Sequence, residues 1–196
     1  MKQMAGREKQ FDQDLALNKA LDVFWVKGFE ATSMQELVDA MGVNRASMYQ
    51  TYGNKSELFT AAINQYMDHS LGFIRDMLEA DGSPLGNIKQ LFIRLVEQSL
   101  GTNMSGCFVN NTAAELGPHD PIMAGKVRYF WEQFEGLLND TLQRAIVHAE
   151  LSRNTNTKKW ATLLNSTLQG LIIKTKAGIA KDKLLGDIDL LFSLVK

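Results

Sequence analysis

Between Asn44 and Thr51 the chain gathers side chains able to read nucleobases: Asn44, Arg45, Ala46, Ser47, Gln50 and Thr51. Arginine matches the paired acceptors of guanine, glutamine matches adenine, and serine or threonine hydroxyls serve base edges or nearby phosphates. A second reactive type is the lone thiol, Cys107, which follows Gly106 where a helix is expected to start. There the helix dipole and free N–H groups would lower its pKa and favour the thiolate. The alternative is that Cys107 is a small buried hydrophobe, as free cysteine usually is. Enzyme chemistry lacks its parts: no Gly-rich phosphate loop, nucleophile elbow or clustered acid–base pair is present. His69, His119 and His148 are scattered, with no cysteine at ligand spacing, so neither a metal site nor a cofactor is expected.

Base-reading side chains need a rigid support, and the flanking residues supply one. Ser33 and Glu36 have the spacing of a capping box, which satisfies free backbone N–H groups at a helix start. Met34, Leu37, Val38 and Met41 follow at helical spacing, and Gly42 offers the left-handed backbone that ends a helix. Asn44 can cap a second helix that Gly53 stops, with Met48 and Tyr49 expected to point inward. Two short helices joined by a tight turn, the second with small and hydrogen-bonding residues at its N-terminal end, suit insertion into a major groove.

The same stretch resembles the helix-turn-helix of TetR-family transcriptional regulators. The resemblance is carried by Thr32 and Ser33 opening a helix, Gly42-Val43 in the turn, Met48-Tyr49, the aromatic Tyr52, and Asn54-Lys55 followed by Glu57-Leu58-Phe59. It implies that Tyr49, Tyr52, Thr32 and Lys55 position phosphates, with Ser33 beside them at the DNA surface. Ala46 stands where glycine is frequent in the family and Tyr52 where phenylalanine is common. Both lie near the DNA surface, so the operator is not transferable from a relative.

Composition bounds this reading. The 196 residues are 45% hydrophobic, enough for one good core or a small domain plus a larger one. Formal net charge is −1, and the first sixty residues carry seven Lys/Arg against eight Asp/Glu. DNA affinity must therefore come from a local patch, and a single reading head should bind weakly. One cysteine excludes an internal disulfide, and no signal peptide or apolar run near twenty residues is visible. A cytoplasmic protein without a membrane partner is the expectation.

Strand signals are almost absent, so an all-α fold of about nine helices is expected. Residues 1–53 would form a three-helix, helix-turn-helix DNA-binding domain. Its residues 1–10 would be a mobile arm, and its first helix, about 12–27, would carry Leu17, Leu21, Phe24 and Trp25 and end at Gly28. Phe29 should pack into the small core with Leu37 and Tyr49. Residues 54–196 would form an effector-binding and dimerisation domain. It opens with a helix of about seven turns from Asn54 to Ala80, long enough, at roughly 40 Å, to act as a lever. Further helices are read near 84–100, 107–116, 122–148, 158–180 and 183–195, with a break at 101–106.

Within that second domain, Phe73, Met77, Phe92, Cys107, Asn110, Asn111, Glu115, Tyr129 and Phe134 are candidates to line a small-molecule cavity. The amides are the more telling members, because an amide in an apolar domain must find a partner. The last two helices are apolar over more than half their circumference, more than one internal stripe needs. Trp160, Leu164, Leu168, Gly170, Leu171, Leu184, Ile188, Leu191 and Phe192 are accordingly assigned to a two-fold four-helix interface. The expectation is thus a homodimeric repressor, released from a pseudo-palindromic double-stranded operator by a small-molecule effector. Alternatives are a repressor that senses electrophiles through Cys107, and a helix-turn-helix module that binds only protein. Some members of the family resemble this chain around Cys107 and sense through a cysteine, and Lys174 or Lys176 is expected to pass nearby.

Overall fold

The computed structural model describes residues 11–101 and 106–195. The expected arm at 1–10 and most of the break at 101–106 lie outside the described residues. Among the described residues the chain is all-helical, with nine helices and no strand. It divides into two compact units, residues 1–64 and 65–196.

In the first unit the first three helices start on a side-chain cap and stop on a glycine, and the fourth starts on a side-chain cap. α1 (Gln13–Lys27) is capped by Asp12, whose Oδ1 accepts from the Leu15 N–H at 3.0 Å, and ends on Gly28 at φ 84°. α2 (Met34–Met41) opens with the complete Ser33/Glu36 capping box and ends on Gly42 at φ 68°. α3 (Arg45–Tyr52) is capped by Asn44, which accepts from the Ser47 N–H at 2.8 Å. α4 (Lys55–Glu79) begins on a reciprocal pair, Asn54 accepting from the Glu57 N–H at 3.0 Å and Glu57 from the Asn54 N–H at 2.8 Å. Each such cap contributes about 1 kcal/mol and sets the helix in register.

The core of this unit is aromatic. Phe24 meets Phe59 edge to face at 5.0 Å, Phe29 meets Phe59 at 5.2 Å, and Leu37, Met48 and Leu58 are fully buried around them. Here the structure corrects the expectation for Tyr49. It is 41% exposed, and Met48 alone fills the inward position. Consecutive residues stand about 100° apart on a helix, and a core this narrow admits only one of them.

The second unit begins within α4 and continues as α5 (Pro84–Gly101), α6 (Phe108–Glu115), α7 (Pro121–Val147), α8 (Thr157–Lys176) and α9 (Lys181–Leu194). α5 packs against α7, α8 and α9, and α7 against α6 and α8. Ile88, Leu91, Phe108, Phe134, Leu138, Leu142, Leu164, Leu168 and Ile188 are buried, each worth about 2 kcal/mol of transfer from water. Polar ties cross this core as well: the Ser99 and Thr175 hydroxyls hydrogen-bond each other, and the Arg144 guanidinium donates to the Leu78 carbonyl. α8 stops at Lys176 rather than near 180, because Gly178 turns left-handed at φ 72° just beyond it.

Candidate nucleic-acid interface

The caps of α2 and α3 fix how α3 is presented. With Met48 buried beneath it, the helix leaves Asn44, Arg45, Ala46, Tyr49, Gln50 and Thr51 exposed and Ser47 half-buried. Arg45 leans on its neighbour one turn on, its guanidinium carbon 5.7 Å from the centre of the Tyr49 ring. This face holds donors and acceptors in several directions and no carboxylate, so it can meet base edges and phosphates without like-charge repulsion.

The nearby acids are occupied. Glu36 accepts from the Ser33 N–H at 2.9 Å and from its hydroxyl at 3.0 Å, and forms an ion pair with Lys27. The Lys27 ammonium first, and the Ser33 donors after it, hold the Glu36 carboxyl at about 2 instead of 4.5. Glu57 accepts from the Asn54 N–H at the start of α4. The unfavourable count of charges in this region is thus partly answered by pairing at helix ends.

The phosphate-positioning candidates divide in two. Lys55 is half-buried, its ammonium 4.5 Å from the Phe29 ring centre and 3.4 Å from the Glu30 carbonyl oxygen to which it donates. Tyr52 is half-buried and donates its hydroxyl to the Gln13 carbonyl at 2.7 Å, tying α3 to α1. Burial, then Asp14 and Asp12, push its phenol pKa up, so it remains a neutral donor. Thr32 departs from expectation: it is 2% exposed and gives its hydroxyl to the Gly28 carbonyl at 2.6 Å, bracing the α1–α2 turn. Ser33 is exposed, with its hydroxyl engaged in the cap.

In the second unit the expected linings are dispersed. Phe92 and Phe134 are buried core residues, and Phe92 packs edge to face on Phe192 at 5.4 Å. Phe73, Met77 and Glu115 are half-buried, and Asn111 accepts from the Lys176 ammonium at 2.8 Å. Tyr129 is 59% exposed and points away from the core, a correction to its assignment as a cavity residue. Asn110 does line a cavity, with Trp131, Asn165 and Gln169, three residues the sequence reading missed. Their signal was there: polar groups on the faces of α7 and α8 otherwise given to apolar packing.

Cys107 caps α6 without a side-chain hydrogen bond to the helix. Its sulfur instead accepts from the Tyr66 hydroxyl at 3.7 Å, under the Tyr66–Phe108 ring pair at 5.6 Å. Burial pushes the thiol pKa up, and the Asn110 N–H, the Tyr66 hydroxyl and the Val109 N–H, which act the other way, do not cancel it. The expected lowering by the helix start is therefore overturned. Lys176 does pass by this segment, its side chain against Gly106, whereas Lys174 pairs with Asp187 at 2.7 Å.

The interface assignment on the last helices also needs correction. Leu164, Leu168, Leu171, Leu184 and Ile188 are buried within the chain itself, and Trp160, Leu191 and Phe192 are half-buried. Only Gly170 of that set is exposed. The outer apolar residues of these helices are Leu163, Ile173, Leu190 and Leu194, between 49% and 64% exposed. Helix periodicity identified the apolar excess but not which side faces inward.

Comparison with known proteins agrees with this geometry. Residues 16–62 match the model of bacterial regulatory proteins of the tetR family, and residues 85–184 match the tetracyclin repressor-like C-terminal domain. An uncharacterised HTH-type transcriptional regulator of Bacillus subtilis, YezE, is 33% identical over 97% of this chain and 99% of its own length. The HTH-type transcriptional repressor ComR of Escherichia coli is 27% identical over 94% of this chain and 89% of its own. Among solved structures, a cysteine-substituted CifR, a TetR-family regulator bound to 26-base-pair operator DNA, superposes with a TM-score of 0.85. It is 26% identical and is covered completely by 97% of this chain. With the reading helix exposed, both units matched and a full-length relative above 30% identity, the chain belongs to the TetR family of DNA-binding transcriptional regulators and is not an enzyme.

Proposed function

We propose that the protein is a homodimeric repressor that occupies a pseudo-palindromic operator and is released from it by a small-molecule effector. The observation that carries this reading is the exposed outer face of α3, where Arg45, Gln50 and Thr51 stand clear of the core on a helix fixed by caps at both ends. One copy of that face has few cations, so useful affinity requires two half-sites engaged together. The exposed apolar residues of α8 and α9 supply a surface for the second copy. That the relatives ComR and CifR are, respectively, named a repressor and bound to operator DNA supports the same conclusion.

Release follows from linkage. An effector that binds the operator-incompetent arrangement better shifts the population toward it, and a complete switch needs about 5 kcal/mol of differential binding. α4 is the natural transmitter, being a single helix whose first turns lie in the reading unit and whose remainder lies in the second. Fluorescence anisotropy on duplex fragments from the promoter of the chain's own gene and its neighbours tests the reading. Nanomolar, sequence-selective binding with two protomers per site is expected, and no selectivity over scrambled duplex at low salt refutes it.

A further inference from the structure

A cavity of about 500 Å³ lies between α6, α7 and α8, a size ordinary for small-molecule sites. It opens at the surface, where Ala114, Ser166 and Ile173 are exposed, and its polar chemistry is unusual. Both side-chain atoms of Asn110, the Trp131 indole N–H and the Gln169 carbonyl oxygen are buried without a hydrogen-bond partner, and all three residues line the same cavity. An unsatisfied buried polar atom costs on the order of 1–3 kcal/mol, so so many on one cavity point to a ligand that supplies the missing bonds.

The polar groups also define that ligand. Gln169 donates its amide to Asn165 at 2.8 Å, Asn165 donates to Glu135 at 2.9 Å, and the Thr162 hydroxyl takes the other Glu135 oxygen at 2.8 Å. This relay fixes the orientation of the Gln169 amide and leaves its carbonyl oxygen unpartnered beside the cavity. Trp131 can only donate, and Asn110 does both. No lysine or arginine lines the cavity among the described residues, so an anion would face Glu135 without a counter-charge. A cation would leave the Trp131 and Asn110 donors unanswered. Ile173 and the two alanines of α6 supply apolar wall.

We infer that this cavity is the effector site and that the effector is an uncharged molecule carrying a hydrogen-bond donor beside an acceptor, as in a primary amide, on a small apolar body. The inference rests on the reading of the chain as an effector-released regulator. It is tested on the full chain by NMR, following the Trp131 indole N–H resonance, assigned by its loss in Trp131→Phe, with benzamide, benzoate and benzamidinium as matched neutral, anionic and cationic probes. Benzamide should shift that resonance saturably, with the ions binding at least ~10-fold more weakly. Asn110→Leu should weaken benzamide by a similar factor while raising the Tm of the free chain, because it removes two unsatisfied atoms without changing shape. Should that variant fail to fold, Gln169→Leu carries the binding readout alone, because it also strips the Asn165 carbonyl of its donor. Silence of Trp131 toward benzamide, equal binding of benzoate, a lowered Tm with unchanged binding, or an operator Kd unmoved at saturating benzamide would each overturn the inference. Selective operator binding together with a silent Trp131 removes this site and leaves the regulator reading intact. A saturable shift without any selective DNA binding preserves the cavity and removes that reading.

Discussion

Arg45 and Tyr49 stand one turn apart on the exposed face of α3, the guanidinium carbon 5.7 Å from the ring centre and Nη2 3.5 Å from the phenol oxygen to which it donates. The ring therefore limits where the guanidinium can reach, which matters for a side chain whose value lies in planar, two-pronged recognition. Arg45→Ala should weaken operator binding by about 10- to 100-fold and relax discrimination at one base position, whereas Tyr49→Phe should cost only a few-fold. Anisotropy titrations against the operator and its single-base variants separate the two. Equal losses on operator and scrambled duplex would show that Arg45 contacts only phosphate.

Lys55 behaves differently if its role is to hold the backbone. Its ammonium rests over Phe29 and against the Glu30 carbonyl, a position set by the fold before DNA arrives. Lys55→Met should weaken binding to specific and scrambled duplex alike and reduce the slope of log K against log salt by about 1. A loss confined to the specific operator would contradict this.

Glu36 makes the reading unit acid-sensitive. Because its carboxyl is held at about 2 when folded, against 4.5 ordinarily, it adds stability above pH 4.5 that disappears as pH falls toward 2. Glu36→Gln should therefore lower Tm at pH 7, and the gap to the parent should close between pH 4.5 and 2. A gap constant over that range would mean that the Lys27 and Ser33 contacts do not depend on the charge.

The half-buried thiol should be sluggish. With its pKa raised by burial, Cys107 should react with iodoacetamide at pH 8 at least ~10-fold more slowly than free glutathione. Tyr66→Phe removes a hydrogen bond that favours the thiolate and should slow alkylation further. Fast labelling, traced by mass spectrometry, would restore the cysteine as a sensor.

The apolar surface of α8 and α9 can be tested by charge. Leu190 is 62% exposed and Leu163 49%, so an aspartate at either position should leave the fold intact. Each should nevertheless shift the protein to monomer in sedimentation velocity and weaken operator binding by more than ~100-fold through lost bivalency. A dimer that survives both substitutions would place the interface elsewhere.

Local chemistry was legible in the amino-acid sequence because it acts over a few residues. Ser33 with Glu36, Asn54 with Glu57, Asp12, Asn44 and the glycines at 28, 42 and 53 mark helix ends wherever the chain lies, and their spacing defined the reading pair and the helix order. Which side of an apolar helix faces inward is not local. Tyr49 yielded the core to Met48, Leu164 and Leu168 turned into the unit while Leu163 and Ile173 turned out, and Cys107 lost its thiolate to burial that outweighs its helix start. Asn110, Trp131 and Gln169 come from three separate helices, so only packing could bring their unsatisfied atoms to one cavity. Periodicity reports how much apolar surface a helix carries, but burial and pKa depend on neighbours distant in sequence, and the tertiary structure alone chooses those.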